Sequence, residues 1–152
     1  MSRELQEQIE FQLEQLNRLL QIYHPLLESS RSKPPDDIEM ASLGALLHSF
    51  YSGVENIFAR IARELDAERP HADSWHADLL EAMSALSEHR PAVITPELGR
   101  QLRGYLQFRH VFRSAYVFTL RWDKMAPLAE QCEPVFRSLE SQLRAFLQAI
   151  EK

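Results

Sequence analysis

A single cysteine, Cys132, excludes an intrachain disulfide and fits a reducing compartment. Flanked by Gln131 and Glu133, it has none of the cationic surroundings that activate a thiolate, so it reads as structural. Four scattered glycines cannot build a phosphate cradle or a dinucleotide fingerprint, and they disfavour a turn-rich β fold. No apolar run approaches the ~20 residues that span a bilayer. The polar start MSRELQEQIEFQLEQL lacks the apolar centre of a secretory signal. The expectation is a cytoplasmic protein without membrane contact. There is no HExxH element, no Glu-x-x-His pair of the di-iron type and no GxSxG nucleophile turn. His71 and His76, five apart at a helix start, are too weak a pair to predict a metal, so neither metal nor cofactor is expected. With 22 acids against 17 bases the net charge is -5, which gives no reason for global affinity to nucleic acid.

What is present is helical periodicity. Leu5, Ile9, Leu13, Leu16, Leu20 and Tyr23 predict a first helix from about Ser2 to Leu27, with a kink at His24-Pro25. The serines and prolines of Glu28–Asp37 read as a linker. Asp36 or Asp37 caps a second helix to about Ala67, apolar on so many sides that it is predicted to be central. Gly53 inside it predicts the close approach of a neighbouring helix. A third helix starts at Asp73 or Ser74 and runs to about Leu86, with Trp75, Leu79, Leu80, Met83 and Leu86 inward. Thr95-Pro96-Glu97 starts a fourth, which continues to about Ser114. Asp123 caps the last, which ends near Ile150 with a kink or break at Pro134. No stretch alternates with period two. The prediction is an all-α bundle of four to five helices in one domain, residues 1–152.

The stretch Leu98–Met125 runs against the acidic background. Arg100, Arg103, Arg109, Arg113, Arg121 and Lys124 face one acid, Asp123, and six aromatics interleave with them. Guanidinium groups suit phosphate because their planar fork donates paired, charge-assisted hydrogen bonds. Arg103 and His110 are seven apart, about two turns or roughly 10.5 Å along one helix face, and Arg113 follows at i+3. An imidazole can take the proton of a 2′-hydroxyl, and neighbouring guanidinium groups can stabilise charge growing on a phosphorane.

The segments Ser49–Phe58 and Phe108–Tyr116, on long helices, resemble the HEPN superfamily, and within it the HepT-like ribonuclease toxins. The family motif is an Arg, four to six residues, then a His, often followed by x-Tyr. It lies on this chain in two registers. Arg103, six residues and His110 satisfy the first, with Phe112 where Tyr is expected. Arg109, four residues and Ser114, then Ala115 and Tyr116, satisfy the second, with serine in place of the histidine. Both registers stand on the sequence. The site set they give is Arg109, His110, Arg113 and Arg103, with Tyr116, Tyr105 and Ser114 as substrate-binding or modified positions. The resemblance implies a metal-independent endoribonuclease that acts on RNA at the cleft of a homodimer. It also implies a minimal nucleotidyltransferase antitoxin that attaches AMP to a tyrosine, Tyr116 or Tyr105. In the alternative, Ser114 marks a lost histidine and the chain is a catalytically inactive HEPN protein that binds or regulates the nucleotidyltransferase.

Overall fold

A computed structural model describes residues 3–66 and 75–151. Among these residues five α-helices form: α1 (Arg3–Ser32), α2 (Asp37–Ile61), α3 (Trp75–Met83), α4 (Pro96–Phe112) and α5 (Trp122–Ile150). A π-helical turn, Ala62–Asp66, follows α2, and a 3-10 turn, Val117–Thr119, precedes α5. No strand forms among the described residues, so the all-α expectation holds.

The second helix is the axis of the bundle, in contact with each of the other four. Its start is fixed by a capping box: Glu39 N–H donates to Asp36 Oδ1 at 2.8 Å, and Asp36 N–H donates back to Glu39 Oε1 at 3.0 Å. Leu43, Leu46, Leu47, Phe50, Tyr51, Val54, Ile57, Phe58 and Ile61 are buried around its circumference. Phe50 meets Tyr105 of α4 and Phe136 of α5 edge-on, at 5.3 and 6.5 Å between ring centroids. α1 packs tightly on Gly53, since a Cβ there would lie 2.6 Å from Leu16 Cδ2. The predicted helix approach is therefore real, and it explains a glycine that helix propensity alone disfavours. Gly44 plays the same part for Phe112, whose ring lies 2.5 Å from such a Cβ and seats the end of α4 on α2.

Several predicted boundaries move, each for a tertiary reason. The first helix does not stop at Leu27 but continues through Pro25 to Ser32. The hydroxyls of Ser29, Ser30 and Ser32 donate to the carbonyls of Leu26, Leu27 and Ser29, so these serines satisfy the helix rather than end it. The extension docks on α5 through Arg31 Nη2, which donates to the carbonyl of Glu130 at 3.1 Å. That carbonyl lies four residues before Pro134, which has no N–H to offer it. Arg31 thus supplies the donor that proline withholds, and α5 runs through Pro134 without the predicted break.

The third helix ends at Met83, not Leu86, and Leu86 is exposed rather than inward. Val93 and Ile94 donate to the Met83 carbonyl, at 2.8 and 3.2 Å, and bring the chain back at once. Arg90 organises this return. Its guanidinium pairs with both oxygens of Asp66 at 2.9 Å and donates to the carbonyls of Ala82, Ala85 and Pro91. The predicted start at Asp73 or Ser74 lies outside the described residues. The fourth helix is capped as expected, with Leu98 N–H donating to Thr95 Oγ1 at 3.2 Å. It closes at Phe112, so Ser114 and Tyr116 lie beyond it in irregular chain. The last helix begins at Trp122, and Asp123 pairs with Arg121 instead of capping.

Candidate functional site

Residues on α3 and α4 line a cavity of about 440 Å³, among them His76, Arg103, Arg109, His110 and Arg113. Helical spacing explains the α4 contribution. Arg103, Leu106, Gln107, His110, Val111 and Arg113 recur at three- and four-residue steps along one side. The opposite side of α4, with Leu98, Leu102, Tyr105 and Phe108, is buried in the core. Arg103, His110 and Arg113 are exposed. None of the three makes an ion pair with a described residue. Arg103 and His110 thus lie on one side of α4, with Arg113 at its C-terminal cap.

Arg109 is different. It was expected to face a phosphate, but its side chain points into the bundle and is 6% exposed as a residue. Nη2 donates to Oε1 and Oε2 of Glu55 at 3.0 and 3.1 Å, and Nη1 donates to Ser52 Oγ at 3.3 Å. Its guanidinium carbon lies 5.0 Å from the centre of the Tyr51 ring, a cation–π contact. The reason is electrostatic. Glu55 sits on the buried side of the central helix, and a buried carboxylate requires a cation with donors to spare. Arg109 therefore reaches the cavity only as part of its wall.

His76 joins the same cluster. Its Nδ1 lies 2.8 Å from Glu55 Oε2 and 3.1 Å from Arg109 Nη2. A carboxylate only accepts and a guanidinium only donates. The arrangement that satisfies all three groups puts the proton on His76 Nδ1, donated to Glu55, with Arg109 also donating to Glu55. The ring rests against Trp75, 3.7 Å between centroids.

The positive field extends to His48 on α2, whose ring packs on Phe112. Partial burial, then the charges of Arg109 and Arg113, hold its pKa below the usual histidine value. On the core side of Arg109, burial and the Glu55 carboxylate push the Tyr51 hydroxyl well above its ordinary range.

Three further predicted positions lie away from the cavity. Tyr105 is buried on the core side of α4, with its hydroxyl donating to the Leu128 carbonyl at 2.7 Å. Burial is also the main cause that raises its pKa, so it is a packing residue out of reach of a modifying enzyme. Ser114 is exposed and turns its hydroxyl back to the Val111 carbonyl. Tyr116 is 72% exposed and stacks in parallel on Phe118, 5.4 Å between centroids. Of the two candidate tyrosines, only Tyr116 is accessible.

Sequence reasoning missed the roles of Glu55 and His76. The available signal was a glutamate between the apolar positions Val54 and Ile57 of the central helix, one turn after Tyr51 and Ser52, which announces a buried partner without saying which. Among the described residues, the one His/Glu group spaced for a cation is His24, Glu28 and Glu133. It lies on α1 and α5, and its His24–Glu133 contact at 2.9 Å is already an ion-pair geometry. Among the described residues, no helix is long and apolar enough to cross a membrane.

A family model described as HepT-like protein matches residues 42–150, which span α2 from its second turn through α5. No curated protein and no solved structure matches. The match covers most of the chain, including every residue of the cavity, and its all-α architecture agrees with the resemblance borne by Ser49–Phe58 and Phe108–Tyr116. The chain belongs to the HepT-like family of the HEPN superfamily.

Proposed function

We propose that the α3–α4 cavity is a phosphodiester site and that the protein is a HepT-like toxin, a metal-independent endoribonuclease. One observation carries this reading: two imidazoles, and two guanidinium groups that pair with no described acid, line a single cavity. Among the described residues, the cavity wall presents cations and imidazoles and no Asp or Glu. Metal-assisted phosphodiester hydrolysis leans on carboxylates to hold the ion, whereas this set suits proton transfer and charge stabilisation. Arg103 and Arg113 hold the scissile phosphate, and His110 moves a proton. Arg109 acts on the site from behind, fixing α4 to α2 through Glu55.

Phosphate contacts displace counterions, so each one steepens the fall of affinity with salt. Arg103→Ala and Arg113→Ala should each weaken binding to a single-stranded RNA across sequences. Each should also lower the salt slope by about 0.7, the increment per contact for single strands. Affinity unchanged in both variants would remove the cavity from RNA binding.

In this reading two copies pair so that their cavities share one groove, as the family resemblance implies. Exposed Val111 in the cavity wall, and Tyr116 and Phe118 in the segment after α4, are apolar surface that such pairing could cover. Light scattering at micromolar concentration should give twice the chain mass; a monomer there would contradict the paired groove.

A second reading rests on its own observation. Arg109 is sequestered by Glu55 and Ser114 stands where the second register wants histidine. On that reading the chain is a catalytically inactive binding partner of a minimal nucleotidyltransferase, and Tyr116 is the accessible acceptor for AMP.

A further inference from the structure

The cavity holds a histidine that neither motif register contains. His76 comes from α3, thirty-three residues before Arg109, and enters the site only through the fold. Its side chain is 30% exposed, so the ring is anchored yet reachable. Nδ1 is committed to Glu55 and one face of the ring is covered by Trp75, which leaves Nε2 as the nitrogen available for chemistry. A carboxylate that orients an imidazole through Nδ1–H, and supports the positive charge that forms when Nε2 takes a proton, is the arrangement of a general base.

We infer that His76 is the second proton-transfer group of this cavity, the one that takes the proton from a ribose 2′-hydroxyl. The inference rests on the RNA-cleavage reading and deepens it. Among the described residues, the charged and titratable groups around His76 are Glu55 from α2, Arg103, Arg109 and His110 from α4 and Arg113 at its cap, with Asp78 on its own helix. Glu55 is the acid that meets Nδ1, and Arg109 holds it in place. The roles then divide. As the 2′-oxygen bonds to phosphorus, its proton passes to His76 Nε2. As the bond from phosphorus to the 5′-oxygen breaks, protonated His110 gives its proton to that oxygen. The products are a 2′,3′-cyclic phosphate and a free 5′-hydroxyl, with His76 protonated and His110 neutral. Exchange with water restores both. No oxidant, metal or co-substrate is needed for the balance.

The test compares two labelled RNA substrates in chelator. One is ordinary. The other carries sulfur in place of the 5′-bridging oxygen, a leaving group that departs without a proton. His110→Gln should lose its activity on ordinary RNA and recover it on the sulfur substrate. His76→Gln should lose about a hundred- to ten-thousand-fold on both, because the attacking hydroxyl still needs its base. Gln can keep a donor on Glu55, and free imidazole added to His76→Ala should restore part of the rate. Three results would overturn the inference alone: His76→Gln cutting at the wild-type rate, His76→Gln rather than His110→Gln rescued by sulfur, or a lowered melting temperature with no imidazole rescue. Wild-type protein inert on both substrates would overturn the RNA-cleavage reading, and this inference with it.

Discussion

Replacing Glu55 with alanine should destabilise the fold by about 3–5 kcal/mol, the usual cost of stranding one member of a buried ion pair. At roughly 2–4 °C per kcal/mol for a chain of this size, the melting temperature should fall by about 10 °C. The expectation follows from burial on both sides. The side chains of Arg109 and Glu55 are 7% and 9% exposed, and both carboxylate oxygens accept from Nη2. Without Glu55 the guanidinium keeps the Tyr51 face and Ser52 Oγ, which offset only part of the loss. His76 would lose its anchor in the same step. Removing the charge pair together, as Glu55→Leu with Arg109→Met, should recover most of the stability, since apolar replacements of buried pairs are often neutral or better. Urea and thermal unfolding of wild type, single and double variants make the comparison. A Glu55→Ala protein as stable as wild type would mean that Arg109 reaches solvent, and it would return Arg109 to the set of phosphate-binding groups.

His110→Ala should lower RNA cleavage by about a hundred- to ten-thousand-fold, the range for losing a positioned acid or base. Structure gives the reason to expect little else. His110 is exposed on α4 and makes no hydrogen bond to a described residue, so its loss strands no buried partner. Circular dichroism and melting temperature should stay at wild-type values. Ser114→His is the counterpart. Ser114 lies beyond the end of α4, in irregular chain, and is not among the cavity residues. A histidine there should add nothing to a working His110 site. If wild type is inert and Ser114→His cuts RNA, the second register is the true one and the protein as it stands is the silent partner.

The helices were legible because a 3.6-residue apolar period is a local property, and α2 read as central because its apolar positions exceed one face. Their ends were less so. The serines after Leu27 look like a linker, yet Arg31 reaching Glu130 and the buried Leu27 hold them in a helix. The site divides in the same way. Arg103 and His110 share a face of α4 and Arg113 caps its end, so spacing alone brought them together. Arg109 is one residue from His110 in sequence and turned to the opposite environment, because its partner Glu55 lies fifty-four residues away. Tyr105 and Tyr116 were indistinguishable as candidates until burial separated them. His76 carried no motif at all; only the packing of α3 beside α2 and α4 places it in the cavity.

We propose that the α3–α4 cavity cleaves RNA by proton transfer. Purified wild-type protein, incubated with a labelled single-stranded RNA in excess EDTA, tests it most directly when the product ends are identified. Cleavage that persists in chelator and yields 2′,3′-cyclic phosphate and 5′-hydroxyl ends is the predicted result. Intact RNA, or cleavage that appears only on adding Mg²⁺ or Mn²⁺, would contradict it.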